Sequence, residues 1–248
     1  MTWQEPLHAG YFPIARIVEL GSRPRYEFGY IQGVRDALAR GFHPFHGMAS
    51  IDAVYRSHEL HPMLANRLMP ASRQEYARYV ESLGLEPGAQ PLEILARSGG
   101  TRLTDSFEVF SPPALDRVRQ QWRYTFPVRG IRFVAAAEDA IRQLRSGDRL
   151  WCMLDLQNEH DPLAIALRTE DKAVVGYIPR YLNEDVRRLI EGEVRVSVAL
   201  VNPAPFPVEV RLICELTADA VPDFAPFATE RYQPISSDAT RVEFEKVA

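Results

Sequence analysis

The chain has 248 residues, of which 46% are hydrophobic and 25% are charged, and its formal net charge is −4. This composition is typical of a soluble globular protein that is long enough to bury a core without disulfides or metals. No apolar run reaches the length of a membrane-spanning helix. The acidic balance disfavours a protein that coats long stretches of nucleic acid. We therefore expect a cytoplasmic protein in which a few well-placed groups make any nucleic-acid contact.

The first half of the sequence alternates between strand and helix patterns. Apolar and polar residues roughly alternate at Tyr11–Leu20 and again at Tyr26–Tyr30, which predicts two strands joined by a turn. The other elements predicted in this half are helices at Gly33–Arg40, Ala65–Leu85 and Pro91–Ala96 and a strand at Thr104–Phe110. Two consecutive prolines, Pro112 and Pro113, then interrupt the pattern and predict a domain boundary.

The second half is richer in short apolar runs. The predicted strands are Tyr124–Phe133, Arg149–Asp155, Ala164–Thr169, Val174–Ile178, Glu193–Asn202 and Val208–Leu216, and the predicted helices are Ala135–Leu144 and Asn183–Ile190. Six short strands with one or two helices predict a small barrel or a strongly bent sheet. The fold class is therefore α+β, with an α+β domain at 1–112, a β-rich domain at 113–218 and an extended tail rich in proline and acidic residues at 219–248.

The chain has only two cysteines, Cys152 and Cys214, and each lies inside an apolar run typical of a strand. That placement predicts two buried free thiols in a reducing compartment, and it disfavours a disulfide.

Three motifs in the second half share an order and spacing with a known family. They are the segments Gly130–Phe133 (GIRF), Asn158–Ile165 (NEHDPLAI) and Val175–Arg180 (VGYIPR). Together they resemble the HIRAN domain, and the resemblance covers most of Trp122–Leu216. It implies an OB-like β-barrel of six strands that binds DNA, holds the 3′ end of a single strand and carries no catalytic residues.

The resemblance also implies a role for each matched residue. Phe133 corresponds to an aromatic residue that packs against a base, and Asp161 to the carboxylate that accepts a hydrogen bond from the 3′-hydroxyl. Arg132 and Arg180 correspond to phosphate contacts. His160 stands where eukaryotic members have a stacking tyrosine, and this departure implies weaker stacking.

Tyr177 stands where some members of that family have a histidine. An alternative interpretation of the same residues stays open. Asn158 and Asp161 could simply shape the turn into the next strand, because their side chains bond readily to nearby backbone. Phe133 and Tyr177 could likewise be ordinary residues of the sheet.

The first half resembles the N-terminal subdomain of HipA-type kinases. The resemblance depends on Tyr26–Tyr30 (YEFGY), Ala65–Arg73 (ANRLMPASR) and Leu92–Asp105 (LEILARSGGTRLTD) and covers about Tyr11–Phe110. It implies a small α+β unit without catalytic residues that contacts a DNA-binding antitoxin partner. No string typical of a kinase core is present.

Histidines and arginines are the other notable side chains of the first half. The pairs His43/His46 and His58/His61, with Glu59, could form a zinc site, but surface or interface histidines are the favoured interpretation. The polar side chains of Arg56, Asn66, Arg67 and Arg73 could form a partner surface. We favour a core network in which Arg67 or Arg73 pairs with Glu59 or Asp52.

These patterns predict a non-enzymatic DNA-binding protein without cofactor or metal, whose N-terminal domain binds a protein partner such as a kinase or a DNA-binding regulator. The alternative is a regulatory or antitoxin-like partner of a separately encoded HipA-type kinase or of a phage-defence system. A nuclease or metal-dependent hydrolase that uses the histidines and Asp105 is disfavoured, because no carboxylate cluster with suitable spacing is present.

Overall fold

A computed structural model describes residues 1–7, 10–21, 25–102, 104–190, 192–222, 224–235 and 240–244. The chain divides into two compact units. The first unit contains residues 1–70, 90–110 and 227–248, and the second contains residues 71–89 and 111–226. Part of the predicted turn after Leu20 and parts of the predicted tail lie outside the described residues.

The described strands, in chain order, are β1 (Thr2–Gln4), β2 (Tyr11–Pro13), β3 (Ala15–Glu19), β4 (Tyr26–Tyr30), β5 (Ala53–Ser57), β6 (Phe107–Glu108), β7 (Ala114–Asp116), β8 (Gln121–Pro127), β9 (Arg149–Leu154), β10 (Ile165–Arg168), β11 (Val174–Tyr177), β12 (Val194–Val201), β13 (Leu212–Asp219) and β14 (Thr240–Phe244). The described α-helices are α1 (Val34–Ala39), α2 (Pro62–Ala65), α3 (Tyr76–Ser82), α4 (Pro91–Ser98), α5 (Ala137–Gln143) and α6 (Arg180–Leu189). Short 3₁₀ helices lie at Ile131–Phe133, Val208–Val210 and Glu230–Tyr232.

The first unit contains two small sheets and an aromatic core. One sheet has the order β2-β1-β6, and the other has the order β14-β5-β4-β3, in which β14 runs parallel to β5. The alternation in β4 buries Tyr26, Phe28 and Tyr30. The Tyr30 hydroxyl accepts a hydrogen bond from the Phe45 amide at 2.8 Å and donates one to the Met48 carbonyl at 2.9 Å. The polar end of this buried ring is therefore satisfied, as burial requires.

An ion pair between Arg67 and Asp105 lies at the edge of this core. The guanidinium donates to both carboxylate oxygens, with Nη1–Oδ1 at 3.0 Å and Nη2–Oδ2 at 2.6 Å. Only 3% of the Arg67 side chain is exposed. The predicted core network is thus correct in kind but wrong in its partners, which were Glu59 and Asp52. Arg56 pairs instead with Glu27 on the neighbouring strand, at 2.7 Å.

The second unit is built around one antiparallel sheet of seven strands, in the order β11-β10-β9-β12-β13-β8-β7. Apolar side chains from six of these strands are buried, which explains the β-branched and aromatic residues that the sequence places there. They include Tyr124, Phe126, Leu150, Leu167, Val175, Val196, Cys214 and Leu216. Cys152 and Cys214 are both free thiols, as predicted, but only Cys214 is buried, whereas Cys152 is half-buried.

The β-rich domain predicted here is confirmed, but the OB-like barrel of six strands is not closed, and its sheet has seven strands. Among the described residues, the edge strands β11 and β7 do not pair with each other, so the sheet is open. One isolated bridge connects Arg129, just after β8, with Tyr177 at the end of β11. Its two backbone hydrogen bonds measure 2.9 and 2.8 Å. The sheet is therefore bent far enough to bring the chain just after its second-last strand, β8, to its first strand, β11, at one point.

A buried asparagine connects α3 to this sheet. The Nδ2 group of Asn202 donates to the Ser82 carbonyl at 2.7 Å and to the Val210 carbonyl at 2.6 Å. Ser82 is the last residue of α3, so the helix that precedes α4 in sequence belongs to the second unit. A single buried polar side chain that satisfies two carbonyls contributes to the attachment of this helix.

Several predicted elements have different bounds in the structure. The predicted strand Tyr11–Leu20 is two strands in different sheets, β2 and β3, which meet at Ile14. The predicted helix Ala65–Leu85 is interrupted after α2, and Pro70 lies in the interruption, where it has no N–H to donate to a helix. The predicted strand Tyr124–Phe133 ends at Pro127, because the chain turns at Gly130 into a 3₁₀ helix.

The remaining differences lie towards the C-terminus. The helix predicted at Asn183–Ile190 begins three residues earlier, at Arg180, directly after Pro179. The strand predicted at Val208–Leu216 begins as a 3₁₀ helix and continues as β13. The tail, predicted as extended, contains a 3₁₀ helix and the paired strand β14.

Candidate nucleic-acid interface

The Gly130–Phe133 segment presents an arginine and an aromatic ring to solvent. Gly130 has a left-handed backbone with φ of 71°, which a glycine adopts without strain, and the 3₁₀ helix follows it directly. Phe133 is 77% exposed. The guanidinium carbon of Arg132 lies 4.7 Å from the centroid of that ring. The Phe133 ring is therefore largely outside the core and is accessible to a ligand.

Tyr177 connects this segment to the end of β11. A Cβ atom added to Gly130 would lie 3.0 Å from Cδ2 of the Tyr177 ring, so the glycine allows the ring to approach the turn. The same tyrosine forms the backbone bridge to Arg129. The first and third sequence motifs are therefore in direct contact, as their placement in one site requires.

Asp155 joins Tyr177 to the second motif. The Tyr177 hydroxyl donates to Oδ2 of Asp155 at 3.0 Å, and the side-chain amide of Asn158 donates to the same oxygen at 3.1 Å. The amide of Asn158 and then the Tyr177 hydroxyl lower the pKa of the Asp155 carboxyl, because both stabilise its charged form. Burial and the bond to Asp155 raise the pKa of Tyr177.

The loop between β9 and β10 is shaped by its own side chains. Oδ1 of Asn158 accepts from the backbone amides of His160 at 3.1 Å and Asp161 at 3.0 Å. Oδ1 of Asp161 accepts from the amide of Leu163 at 2.9 Å. Asn158 and Asp161 thus act as turn residues, which was the alternative interpretation of this motif. The turn leaves the His160 ring exposed at its tip.

Asp161 also contacts α6. Its Oδ2 accepts from Nδ2 of Asn183 at 2.8 Å and lies 3.5 Å from Nε of Arg180. The Asp161 side chain is 14% exposed. An ionised carboxylate has about four acceptor positions, and these contacts occupy three of them at most. At least one acceptor position of the Asp161 carboxylate is therefore left unoccupied by these contacts.

The six residues predicted from the sequence thus fall in three motifs that contacts connect to one another. Arg132 and Phe133 are exposed, His160 is exposed at the loop tip, and Asp161, Tyr177 and Arg180 are half-buried. Among the described residues, the His160 side chain makes no hydrogen bond, whereas its backbone amide bonds to Asn158.

Three residues of the site were not predicted. Asp155 and Asn183 bond to Tyr177 and Asp161, and Arg187 donates to the carbonyls of Leu163 at 3.1 Å and Pro162 at 3.2 Å. One sequence signal could have identified Asn183. It is a polar residue on a helix whose other buried side chains are mostly apolar, and such a residue usually has a specific partner.

The first-unit histidines do not form a recognisable metal site. In the described ranges, no three side chains of His, Cys, Asp or Glu come together as metal ligands. His61 instead begins α2, where its Nδ1 accepts from the amide of Met63 at 3.3 Å. Burial, and the nearby His46, lower the pKa of His61. Within the same ranges, no helix is long and apolar enough to cross a bilayer.

The bent sheet with its exposed arginine–phenylalanine pair defines the second unit as a β-rich binding module. Residues 123–217 match the family model of the HIRAN domain, and this part of the chain is a HIRAN domain. HIRAN domains are generally DNA-binding modules, which agrees with a DNA-binding role. The match covers less than half of the chain, and the predicted resemblance of the first half to a HipA subdomain receives no support.

Two crystal structures are similar to this region. One is a protein from Lactobacillus plantarum, at 22% identity over 40% of this chain and 96% of its own length, with a TM-score of 0.33. The other is the HIRAN domain of human HLTF, at 14% identity over 40% of this chain and 76% of its own, with a TM-score of 0.28. No curated protein matches the sequence significantly.

Proposed function

We propose that this chain is a non-enzymatic DNA-binding protein whose HIRAN domain binds the 3′-hydroxyl end of a single DNA strand. The observation that supports this proposal most is the Phe133 ring, which is 77% exposed beside Arg132 and connected through Tyr177 to the loop that carries Asp161. An exposed ring next to a cation suits a nucleotide, because the ring can stack on the base and the cation can attract the phosphate.

Each proposed contact follows from the chemistry of its group. Phe133 stacks on a base, and base stacking tolerates every sequence. Arg132 and Arg180 donate to phosphate oxygens, for which the planar guanidinium is well suited. The free acceptor position of Asp161 receives the terminal hydroxyl, while the negative charge disfavours a terminal phosphate.

Two groups complete the site. The Tyr177 ring lies against Gly130, the residue from which the Arg132–Phe133 segment begins. His160 is the residue nearest the tip of the loop, and its imidazole offers a second, smaller stacking face. A site of this size contains few charges, which agrees with a net charge of −4 for the whole chain.

The first unit contributes no group to this proposal. Its interaction with a protein partner, including a HipA-type kinase or an antitoxin-like regulator, stays a prediction from the sequence.

Replacing Phe133 by alanine is expected to weaken binding of a short single-stranded oligonucleotide by about 10- to 100-fold, since one stacked base contributes roughly 1–3 kcal/mol. The thermal midpoint should stay unchanged, because the ring is mostly outside the core. Fluorescence anisotropy with labelled DNA measures the first quantity, and circular dichroism measures the second.

Val118→Ala is the matched control for Phe133→Ala. Val118 is also a strongly exposed apolar residue of the second unit, and it lies in the turn between β7 and β8. This control should bind DNA like the unmodified protein. Unchanged DNA affinity in Phe133→Ala would remove the main support for the proposed site.

A further inference from the structure

The sheet of the second unit has a basic and aromatic face that is separate from the proposed end site. Side chains of β9 alternate, so Arg149, Trp151 and Met153 share one face while Leu150 points to the buried one. Arg168 of β10 lies directly opposite Trp151 in the strand register. Met153 is 41% exposed, so this face is open at that end.

Two arginines are ordered on the tryptophan ring. The guanidinium carbons of Arg149 and Arg168 each lie 5.5 Å from the Trp151 ring centroid. Cation–π attraction favours these positions of the two guanidinium groups, and N–H groups remain that can donate to a ligand. One donor, Nη1 of Arg168, bonds to the carbonyl of Thr169 at 3.1 Å. Restriction of the guanidinium groups by the ring reduces the entropy cost of binding.

The neighbouring strand β12 adds a third arginine to the same face. Ser197 pairs with Arg149, and Arg195 lies two residues along β12 and is therefore on the same side of the sheet. Throughout the described part of the chain, no carboxylate lies within ion-pair distance of these three arginines. Arg123, farther across the sheet, is different, because it pairs with Glu215 at 3.2 Å.

The charge on this face is the opposite of the charge on the whole chain. Three arginines without a described carboxylate partner lie on β9, β10 and β12, whereas the chain carries a formal net charge of −4. Among the described residues, Glu215 of β13 shares this face, opposite Ser197, but it is paired with Arg123 at 3.2 Å. Other acidic residues lie at strand ends, at Asp148, Glu170, Asp171 and Glu193. A local positive surface on an acidic protein favours a polyanion over a general association with negative surfaces.

We propose that this face, formed by Arg149, Trp151, Arg168 and Arg195, binds the phosphodiester backbone of a single-stranded nucleic acid. It needs no strand end, so it acts independently of the site at Phe133 and Asp161. Preoriented guanidinium groups donate to successive phosphates, and the exposed apolar end at Met153 accepts the edge of a base. Such a surface binds without sequence preference and with a clear dependence on salt.

Circular single-stranded DNA tests the proposal because it has no ends. The full chain carrying Arg149→Gln and Arg168→Gln together is expected to bind the circle about tenfold more weakly at low salt than the unmodified protein. The plot of log affinity against log salt should become shallower by about 1.4, since each lost contact to a single strand removes about 0.7 from the slope.

Two further variants act as controls. Arg35→Gln with Arg40→Gln removes the same charge from exposed positions in and just after α1 of the first unit, and it should bind the circle like the unmodified protein. Arg149→Lys with Arg168→Lys keeps both charges and should retain most of the salt slope. Lysine keeps the positive charge and can still lie over the Trp151 ring, so this variant tests whether charge alone is enough for binding. Far-UV circular dichroism of both double variants shows whether either has lost its fold.

The double variant Arg149→Gln with Arg168→Gln should keep the preference of a linear oligonucleotide for a 3′-hydroxyl over a 3′-phosphate end, which distinguishes this face from the end site. The protein could show no preference for 3′-hydroxyl ends and still bind the circle through Arg149 and Arg168. That result would contradict the proposed end recognition and support the proposal for this face. A glutamine variant that binds the circle with unchanged affinity and slope would overturn the proposal, and this is also the result expected if the face binds an acidic protein.

Discussion

Replacing Gly176 by alanine is expected to lower the free energy of unfolding of the second unit by about 3 kcal/mol or more. Gly176 has a φ of 138°, which side-chain-bearing residues rarely adopt. An added Cβ would lie 2.5 Å from Cγ1 of Val128 and 2.7 Å from the carbonyl oxygen of Arg129. That oxygen accepts the Tyr177 amide, so relief of the clash would break the bridge that brings β11 to the end of β8.

Gly147→Ala is the control that separates the two causes. Gly147 also has a positive φ, 92°, but a Cβ there would meet nothing within 4 Å. Gly147→Ala should therefore lower the free energy of unfolding only by the cost of the strained backbone, about 1 kcal/mol. Denaturant unfolding monitored by far-UV circular dichroism gives both values. Equal losses in Gly176→Ala and Gly147→Ala would show that the close approach of β11 to β8 does not stabilise the domain.

Asp105→Ala is expected to destabilise the first unit by about 3–5 kcal/mol, because it leaves the buried charge of Arg67 without its partner. Arg67 is 3% exposed, and its other described acceptors are the carbonyls of Met63 at 3.0 Å and Gly100 at 2.7 Å. Carbonyl oxygens solvate the guanidinium but do not neutralise it. Denaturant unfolding of the full chain, followed by far-UV circular dichroism, measures the effect.

Two comparisons support the interpretation of Asp105→Ala. Glu27→Ala removes the carboxylate that pairs with the more exposed Arg56, and it should cost no more than about 1 kcal/mol. Adding Arg67→Met to Asp105→Ala should recover part of the loss, because the unpaired charge is then removed. If Asp105→Ala costs no more than Glu27→Ala, the pair at Arg67 does not stabilise the fold.

The sequence was most informative where local patterns decide the structure. The alternation at Tyr26–Tyr30 predicted β4 with its buried face, and the runs around Arg149, Ile165 and Val174 predicted β9, β10 and β11. The pattern that predicts each of these strands lies within a few consecutive residues. Strand order could not be predicted in the same way, because the pairing of β9 with β12 joins residues more than 40 positions apart.

Sequence patterns also could not predict to which of the two units α3 belongs. A helical spacing of apolar residues predicts a helix but does not say which core it contacts. Asn202 bonds to the last residue of α3, although the two residues are 120 positions apart. Only the folded chain shows that residues 71–89 belong with the HIRAN domain rather than with the segments on either side.

The sequence predicted the motif residues of the candidate site, but it did not predict the residues that hold them in place. Arg132, Phe133 and Asp161 stand in recognisable strings, whereas Asp155 and Asn183 act by contacts that the folded loop and helix create. The turn role of Asp161 is what the structure shows, through the bond from the Leu163 amide to Oδ1, and its role at a DNA end stays a proposal.

The most direct test of end recognition compares two oligonucleotides of about ten nucleotides that differ only at the 3′ terminus, one with a hydroxyl and one with a phosphate. The full chain is expected to bind the hydroxyl end at least about tenfold more tightly, since a hydrogen bond to a charged group contributes about 1.5–3 kcal/mol. Asp161→Asn, which removes the negative charge, should reduce that ratio towards one. Equal affinity of the unmodified protein for the two ends would contradict 3′-hydroxyl recognition by this HIRAN domain.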